Sequence, residues 1–202
     1  MGVPGGPTEN LAALPWGLSR HHRQTDFQGS QGRNWAAQIV EMAVNNGFTQ
    51  LLRPTHLLSG VNDPRLHRDI DMMRWAEGEI AGAGIDVGLI YSLALPIEVL
   101  RNRLERQALV AAIADAPSNA IWLKIENFGD DATGEKTAAY IEACRDFHQR
   151  GIPVVGDHVG GLPGLGALAF GAAGGIAHGV TVLGSRAMED RFGGSTWHSS
   201  IC

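Results

Sequence analysis

The sequence predicts an α/β protein built on a parallel sheet, a (β/α) barrel of the TIM type. Three observations predict it. Apolar runs alternate with helical patterns along most of the 202 residues. The centres of four such runs, Leu51, Val87, Trp122 and Val154, stand 32 to 36 residues apart, the length of one strand with its crossover helix. Finally, IYSLAL and IPVV are nearly continuous apolar runs, as strands covered on both faces are. A full barrel has eight strands in about 250 residues, and six or seven can be counted here, so the expected barrel is incomplete or truncated. The alternative is an open doubly wound parallel sheet; the even spacing and the lack of a reversal point or a glycine-rich first turn favour the barrel.

The elements follow in order. Stepping one unit back from Leu51 reaches LPWGLS around Gly17, a first strand by phase. A helix is expected over 34–46, then the strand TQLLR at Thr49–Arg53, a helix over 64–83, and the apolar run IDVGLIYSLAL from Ile85. The next helix covers 97–115 and leads to the strand AIWLKIENF from Ala120. A helix over 133–150 opens at Thr133, behind Asp130 and Asp131, where an oxygen-bearing side chain caps free N–H groups and acids suit the dipole. Gly151 closes it after His148 and Arg150. The strand IPVVGD, a short helix over 163–172 and the segment GGIAHGVTVLG from Gly174 complete the series. The domain is expected over 14–184, between tails at 1–13 and 185–202.

Composition excludes several classes of function. With 16 basic against 21 acidic residues and a net charge of −5, the chain has no electrostatic footprint for nucleic acid or anionic membrane. No apolar run reaches the ~20 residues that span a bilayer, and MGVPGGPTENLAALPW lacks the basic and apolar regions of a secretory signal. A soluble cytoplasmic protein is expected. The two cysteines, Cys144 and Cys202, are too few for a disulfide framework or a cysteine-based zinc site, so free thiols are expected.

In a barrel, residues at and after the carboxyl ends of strands converge on one face, which holds the active site. Here those positions supply Arg53 and His56, Tyr91 and Ser92, Lys124, Glu126 and Asn127, Asp157 and His158, and His178. The acid/base candidates are Asp157, His56, Lys124, Glu126 and His178. Lys124 and Glu126 share one face of a strand and would pair with each other. Asp157 and His56 should open into one pocket beside the N–H groups of Gly160 and Gly161. Each polar group could instead serve only to bond loop backbone, and the glycine run from Gly160 to Gly166 could serve close helix packing. His56, His158 and His178 fall in separate units as metal ligands do, but His21 and His22, being adjacent, would point to opposite sides of a strand, and no metal is expected.

The stretch IPVVGDHVGG, followed by LGALAFGAAGGI and VTVLGSR, resembles the last strand-helix-strand portion of phosphate-binding barrels, notably the flavin-dependent oxidoreductases and the inosine monophosphate dehydrogenase group. The likeness covers about 35 residues and speaks to fold more than to activity. It implies that N–H groups at Gly160, Gly161, Gly184 and Ser185 face a phosphate, that Asp157 faces ribose hydroxyls, and that flavin mononucleotide is a candidate cofactor. HisVal, between the acid and the glycines, departs from that pattern. A fainter resemblance joins Gly160, Gly161 and Leu162 to the glycine-glycine-leucine turn of the tRNA-guanine transglycosylase barrels. Those enzymes need a cysteine-rich zinc site, which two cysteines cannot supply.

The expected function is therefore a barrel enzyme that binds a phosphorylated or nucleotide-like small molecule at the strand carboxyl ends. The alternatives are a nucleobase transglycosylase-like barrel and a non-catalytic ligand-binding or assembly module. An unclosed barrel exposes strand edges, which predicts a homo-oligomer.

Overall fold

Parallel strands cannot be joined by tight turns, so each must be followed by a crossover, and the structure follows that rule throughout. It is a computed structural model describing residues 24–53, 56–126, 128–129 and 132–177. Strands β1 (Gln50–Arg53), β2 (Gly88–Pro96), β3 (Ala120–Glu126), β4 (Val154–Asp157) and β5 (Gly175–Ala177) form one sheet. Helix α1 (Gly29–Asn45) precedes β1, and α2 (Pro64–Ala83) joins β1 to β2. Helices α3 (Ile97–Arg101) and α4 (Arg103–Ala114) join β2 to β3, α5 (Gly134–His148) joins β3 to β4, and α6 (Gly161–Ala169) joins β4 to β5.

The strand order is β1-β2-β3-β4-β5 and every pair is parallel. A doubly wound sheet reverses its order once; the five described strands contain no reversal. The sheet is not closed, and β1 and β5 are its edges among the described residues. The LPWGLS strand, the continuation VTVLG after β5 and both tails lie outside the described residues.

Local chemistry sets the helix boundaries. Asp63 caps α2: its carboxylate accepts from the Arg65 and Ser59 N–H groups and from the Arg65 guanidinium at 2.6 and 2.8 Å, and Pro64 occupies the first turn, where its missing N–H costs nothing. Burial opposes ionisation of Asp63, but these hydrogen bonds outweigh it and hold its carboxyl below the usual range. Gly84 ends the helix in the left-handed region, φ 64°, where a Cβ is costly. Asn102 caps α4 through the Leu104 and Glu105 N–H groups. Thr133 caps α5 as the sequence predicts.

One side of the sheet is apolar. Leu51, Leu89, Leu93, Ile121, Leu123 and Val154 line a buried row and join the buried residues of the helices in a single core. Consecutive neighbours with right-handed crossovers put every helix on the same face, which is the face of that row. On the opposite row, Leu52, Ile90, Trp122 and Val155 are only partly buried and lie outside the core.

Behind the sheet, Arg106 ties three helices together. Its guanidinium donates to Leu100 O in α3 at 2.6 Å, to Asp146 in α5 at 2.7 Å and to Glu142 in α5 at 3.0 Å.

No helix among the described residues is long and apolar enough to cross a membrane.

Candidate functional site

The carboxyl ends of β3 and β4 bring three ionisable side chains together. Lys124 and Asp157 are register partners on adjacent strands, so their side chains project from the same face as neighbours. Lys124 Nζ lies 3.7 Å from Asp157 Oδ2. The other carboxylate oxygen, Oδ1, is 2.7 Å from His158 Nδ1. Lysine, aspartate and histidine thus meet through one carboxylate. All three are partly buried, at 17, 11 and 30 % side-chain exposure.

Lys124 was expected to pair with Glu126, two residues along the same strand. Among the described residues it is Asp157 that stands beside it, and strand geometry gives the reason. Positions i and i+2 stand almost 7 Å apart, whereas register partners on adjacent strands are about 4.8 Å apart. Glu126 sits one step further toward the carboxyl end of β3, on the Lys124 face, opposite Pro96.

His158 has φ 56° and is the one non-glycine residue in the left-handed region among the described residues. Such a conformation costs on the order of 1–3 kcal/mol and persists where surrounding structure imposes it. Here the His158 N–H donates to Ala177 O at 2.8 Å, so the β5 ladder holds the backbone while the side chain turns back onto Asp157. The sequence placed His158 among polar strand-end groups but considered it only as a metal ligand. No group of three or more metal-binding side chains occurs among the described residues.

The glycines behind this pair divide into two uses. Gly160 is the N-cap of α6 and supplies no side-chain cap, and the exposed Gly161 has φ 54°, a conformation suited to glycine. The first-turn N–H groups of α6 are thus uncapped by any side chain, and they suit an anion in kind. Gly164, by contrast, serves packing: a Cβ there would stand 2.5 Å from the carbonyl oxygen of Val159. Gly156 leaves room for the Tyr140 hydroxyl, which a Cβ would meet at 2.6 Å. The Tyr140 ring stacks on Phe128 with centroids 4.9 Å apart. Burial pushes the Tyr140 phenol upward and the Cys144 thiol to about 12, so both remain protonated near neutrality.

His56 occupies a different place. It follows β1 at the same end of the sheet, but its Nδ1 is 2.6 Å from Asp69 Oδ1 on α2, and its backbone N–H donates to Asp69 Oδ2 at 3.1 Å. Both residues are 3 % exposed and belong to the helix side. The cause lies in the ladder, where Arg53 pairs with Tyr91 but Leu57 bridges to Ala94. The offset changes by one residue between these pairs, and a one-residue slip moves side chains to the other face. His56 and Asp157 therefore do not open into a common pocket. His178, Gly184 and Ser185 lie outside the described residues.

Arg53 and Tyr91 complete the buried group around Asp69. Burial lowers the Arg53 pKa to about 10, against the opposing pull of Asp69, so it is still a cation at neutral pH. Burial raises the Asp69 carboxyl above its usual range, while the His56 hydrogen bonds work the other way.

No protein-family model matches the chain, and no curated protein matches it. The chemistry rests on the geometry.

Proposed function

We propose that the chain is an enzyme of the (β/α)-barrel type that binds a phosphorylated or nucleotide-like small molecule over the strand carboxyl ends and transfers a proton there. The observation that carries this reading is the placement of Lys124 and His158 on the two oxygens of Asp157, on the sheet face that lies outside the helix core.

Side chains on that face stand in rows that follow the register across adjacent strands. Register places Ser92, Trp122, Val155 and Gly175 in one layer and Ala94, Lys124, Asp157 and Ala177 in the next, with Pro96 and Glu126 beyond. The lower layers are mainly apolar and the upper ones carry the charges. A ligand resting on the upper layers would meet a cation, a carboxylate and an imidazole together.

Each group has a role that follows from its neighbours. A carboxylate acceptor at Nδ1 fixes the imidazole proton there and leaves Nε2 as the basic nitrogen. His158 is then the general base, and Asp157 holds its ring and balances the imidazolium that forms. Lys124 places positive charge where a substrate oxygen gains electron density. Glu126 is the further acid/base candidate at the rim. The uncapped amino end of α6, at Gly160 and Gly161, would receive a phosphate, and flavin mononucleotide is one phosphate-bearing cofactor compatible with it. When bound, a flavin would supply hydride chemistry; the residues described here would orient it and move the proton.

The test begins with purification under native conditions, mass analysis of retained small molecules and an absorbance scan for flavin. Nucleotides and sugar phosphates are then screened by thermal shift. We expect at least one phosphorylated compound to stabilise the protein, and Lys124→Ala and Asp157→Asn each to weaken it tenfold or more, about 1.4 kcal/mol. Retention of wild-type affinity by both variants would remove the site from this face.

A second reading, an assembly module without catalysis, is favoured by β1 and β5, which have no strand beyond them among the described residues, since unpaired edges are templates for pairing with another chain.

A further inference from the structure

Exposed apolar side chains are concentrated on one element. Of the six large hydrophobic residues that stand exposed among the described residues, four lie on α6 or directly after it: Leu162, Leu165, Leu168 and Phe170, at 82, 64, 43 and 66 % exposure. Scattered exposed leucines need no explanation, but a contiguous group does. Successive threes on a helix advance by about 60° around the axis, so Leu162, Leu165 and Leu168 form one stripe on one side.

From these positions we infer that α6 is the contact surface for a second copy of this chain, the two α6 helices crossing antiparallel about a two-fold axis. Three features choose that occupant. The stripe is self-complementary: with Leu165 central, a two-fold sets Leu165 against its own counterpart and Leu162 against Leu168, as a symmetric interface requires. No charged residue occurs between Val159 and Ala177, so two such faces meet without like-charge repulsion, and nothing on them favours an acidic or basic partner. The area is also sufficient. The four side chains present roughly 500 Å² of apolar surface, in the range where exposed patches mark interaction sites. Two faces together give about 1,000 Å², the area a specific interface must clear. Gly166 and Ala169, interspersed in the same helix, limit side-chain bulk and let the helix axes come close.

Position in the fold agrees. Helix α6 packs on α5 on one side and against β5, an edge strand among the described residues, beneath. It is the last helix of the described array.

Sedimentation of the full chain across a range of concentrations tests the inference, with Leu165→Glu and Leu162→Glu beside the wild type. The wild type should be a dimer, and each variant should raise the dissociation constant tenfold or more with circular dichroism unchanged. Leu165→Cys, in a Cys202→Ser background, should form a disulfide-linked dimer on mild oxidation, because the two-fold brings that position against itself. Leu104→Cys, more open at 80 % exposure but on α4, should not. A monomeric wild type would overturn the inference, as would a dimer indifferent to both glutamates or binding of α6 to neutral lipid vesicles in place of a second copy. Failure to cross-link at position 165 in a glutamate-sensitive dimer would overturn the antiparallel arrangement.

Discussion

Replacing Asp69 with alanine should destabilise the protein by about 3–5 kcal/mol, while replacing Arg53 with methionine should be near neutral or stabilising. The asymmetry comes from what each change leaves behind. Asp69 is the acceptor for the His56 ring and backbone and the negative charge acting on Arg53. Removing it takes away the negative charge that opposes the desolvation of the buried Arg53 cation and the acceptor of the buried His56, both costly losses. The Arg53 guanidinium has no hydrogen-bond partner among the described residues, at Nε or at either terminal nitrogen, and its side chain is 1 % exposed. Methionine fills comparable volume without a charge to desolvate, and Asp69 keeps its bonds to His56. Urea unfolding of the two single variants and the double variant measures both effects. The double variant should recover a large part of the Asp69→Ala loss, since the two residues are coupled. If Arg53→Met costs more than Asp69→Ala, the guanidinium makes a stabilising polar contribution of its own.

The second large effect is expected at Arg106. Arg106→Ala should cost about 2–4 kcal/mol, because it leaves the Leu100 carbonyl without its donor and removes a buried side chain that joins three helices. The partners temper the figure: Glu142 is 58 % exposed and regains water when released, whereas Asp146 is 17 % exposed. Arg106→Lys should recover less than half of the loss, since an ammonium cannot reach three acceptors in a fork. A cost below about 1 kcal/mol in urea unfolding would place Arg106 among ordinary surface ion pairs.

Much of the fold was legible in the sequence, because the period of a strand and crossover helix is written in the spacing of apolar runs. Helices α2 and α5 match the predicted segments to within two residues, their caps and terminal glycines being local signals, whereas the one helix expected over 97–115 is two, α3 and α4, divided at Asn102. Closure was not legible in this way. Whether a parallel array closes depends on the pairing of its first and last strands, and neighbour spacing does not contain that information.

The site was legible in part. Lys124, Asp157 and Glu126 were candidates because residues at strand ends share one end of the sheet, and the register puts them on one face of it. Their grouping was missed, since it depends on register: Lys124 lies opposite Asp157, a relation between strands that one sequence does not print. His56 was placed with them because position after a strand gives the end of the sheet but not the face, and a single change of ladder offset sends it to Asp69 instead. The left-handed backbone of His158 had no sequence signal of its own, glycine being the residue normally expected there. Trp122 could have been found from parity with Lys124 along one strand.

The uninterrupted strand order has a kinetic consequence. When every strand pairs with its neighbours in the chain, each added unit closes only a short loop, and assembly can spread outward from whichever pair forms first. The β2–β3 ladder, with seven register pairs, is the natural starting point, whereas β4 and β5 share three. Native-state hydrogen exchange should therefore show the slowest amides in β2 and β3 and progressively faster ones toward β5. His158 takes its backbone conformation from the bond to Ala177 in that last strand. In the proposed function the base therefore takes its alignment from the ladder expected to exchange fastest among the described strands, so loosening this edge would misalign the histidine before the protein unfolds.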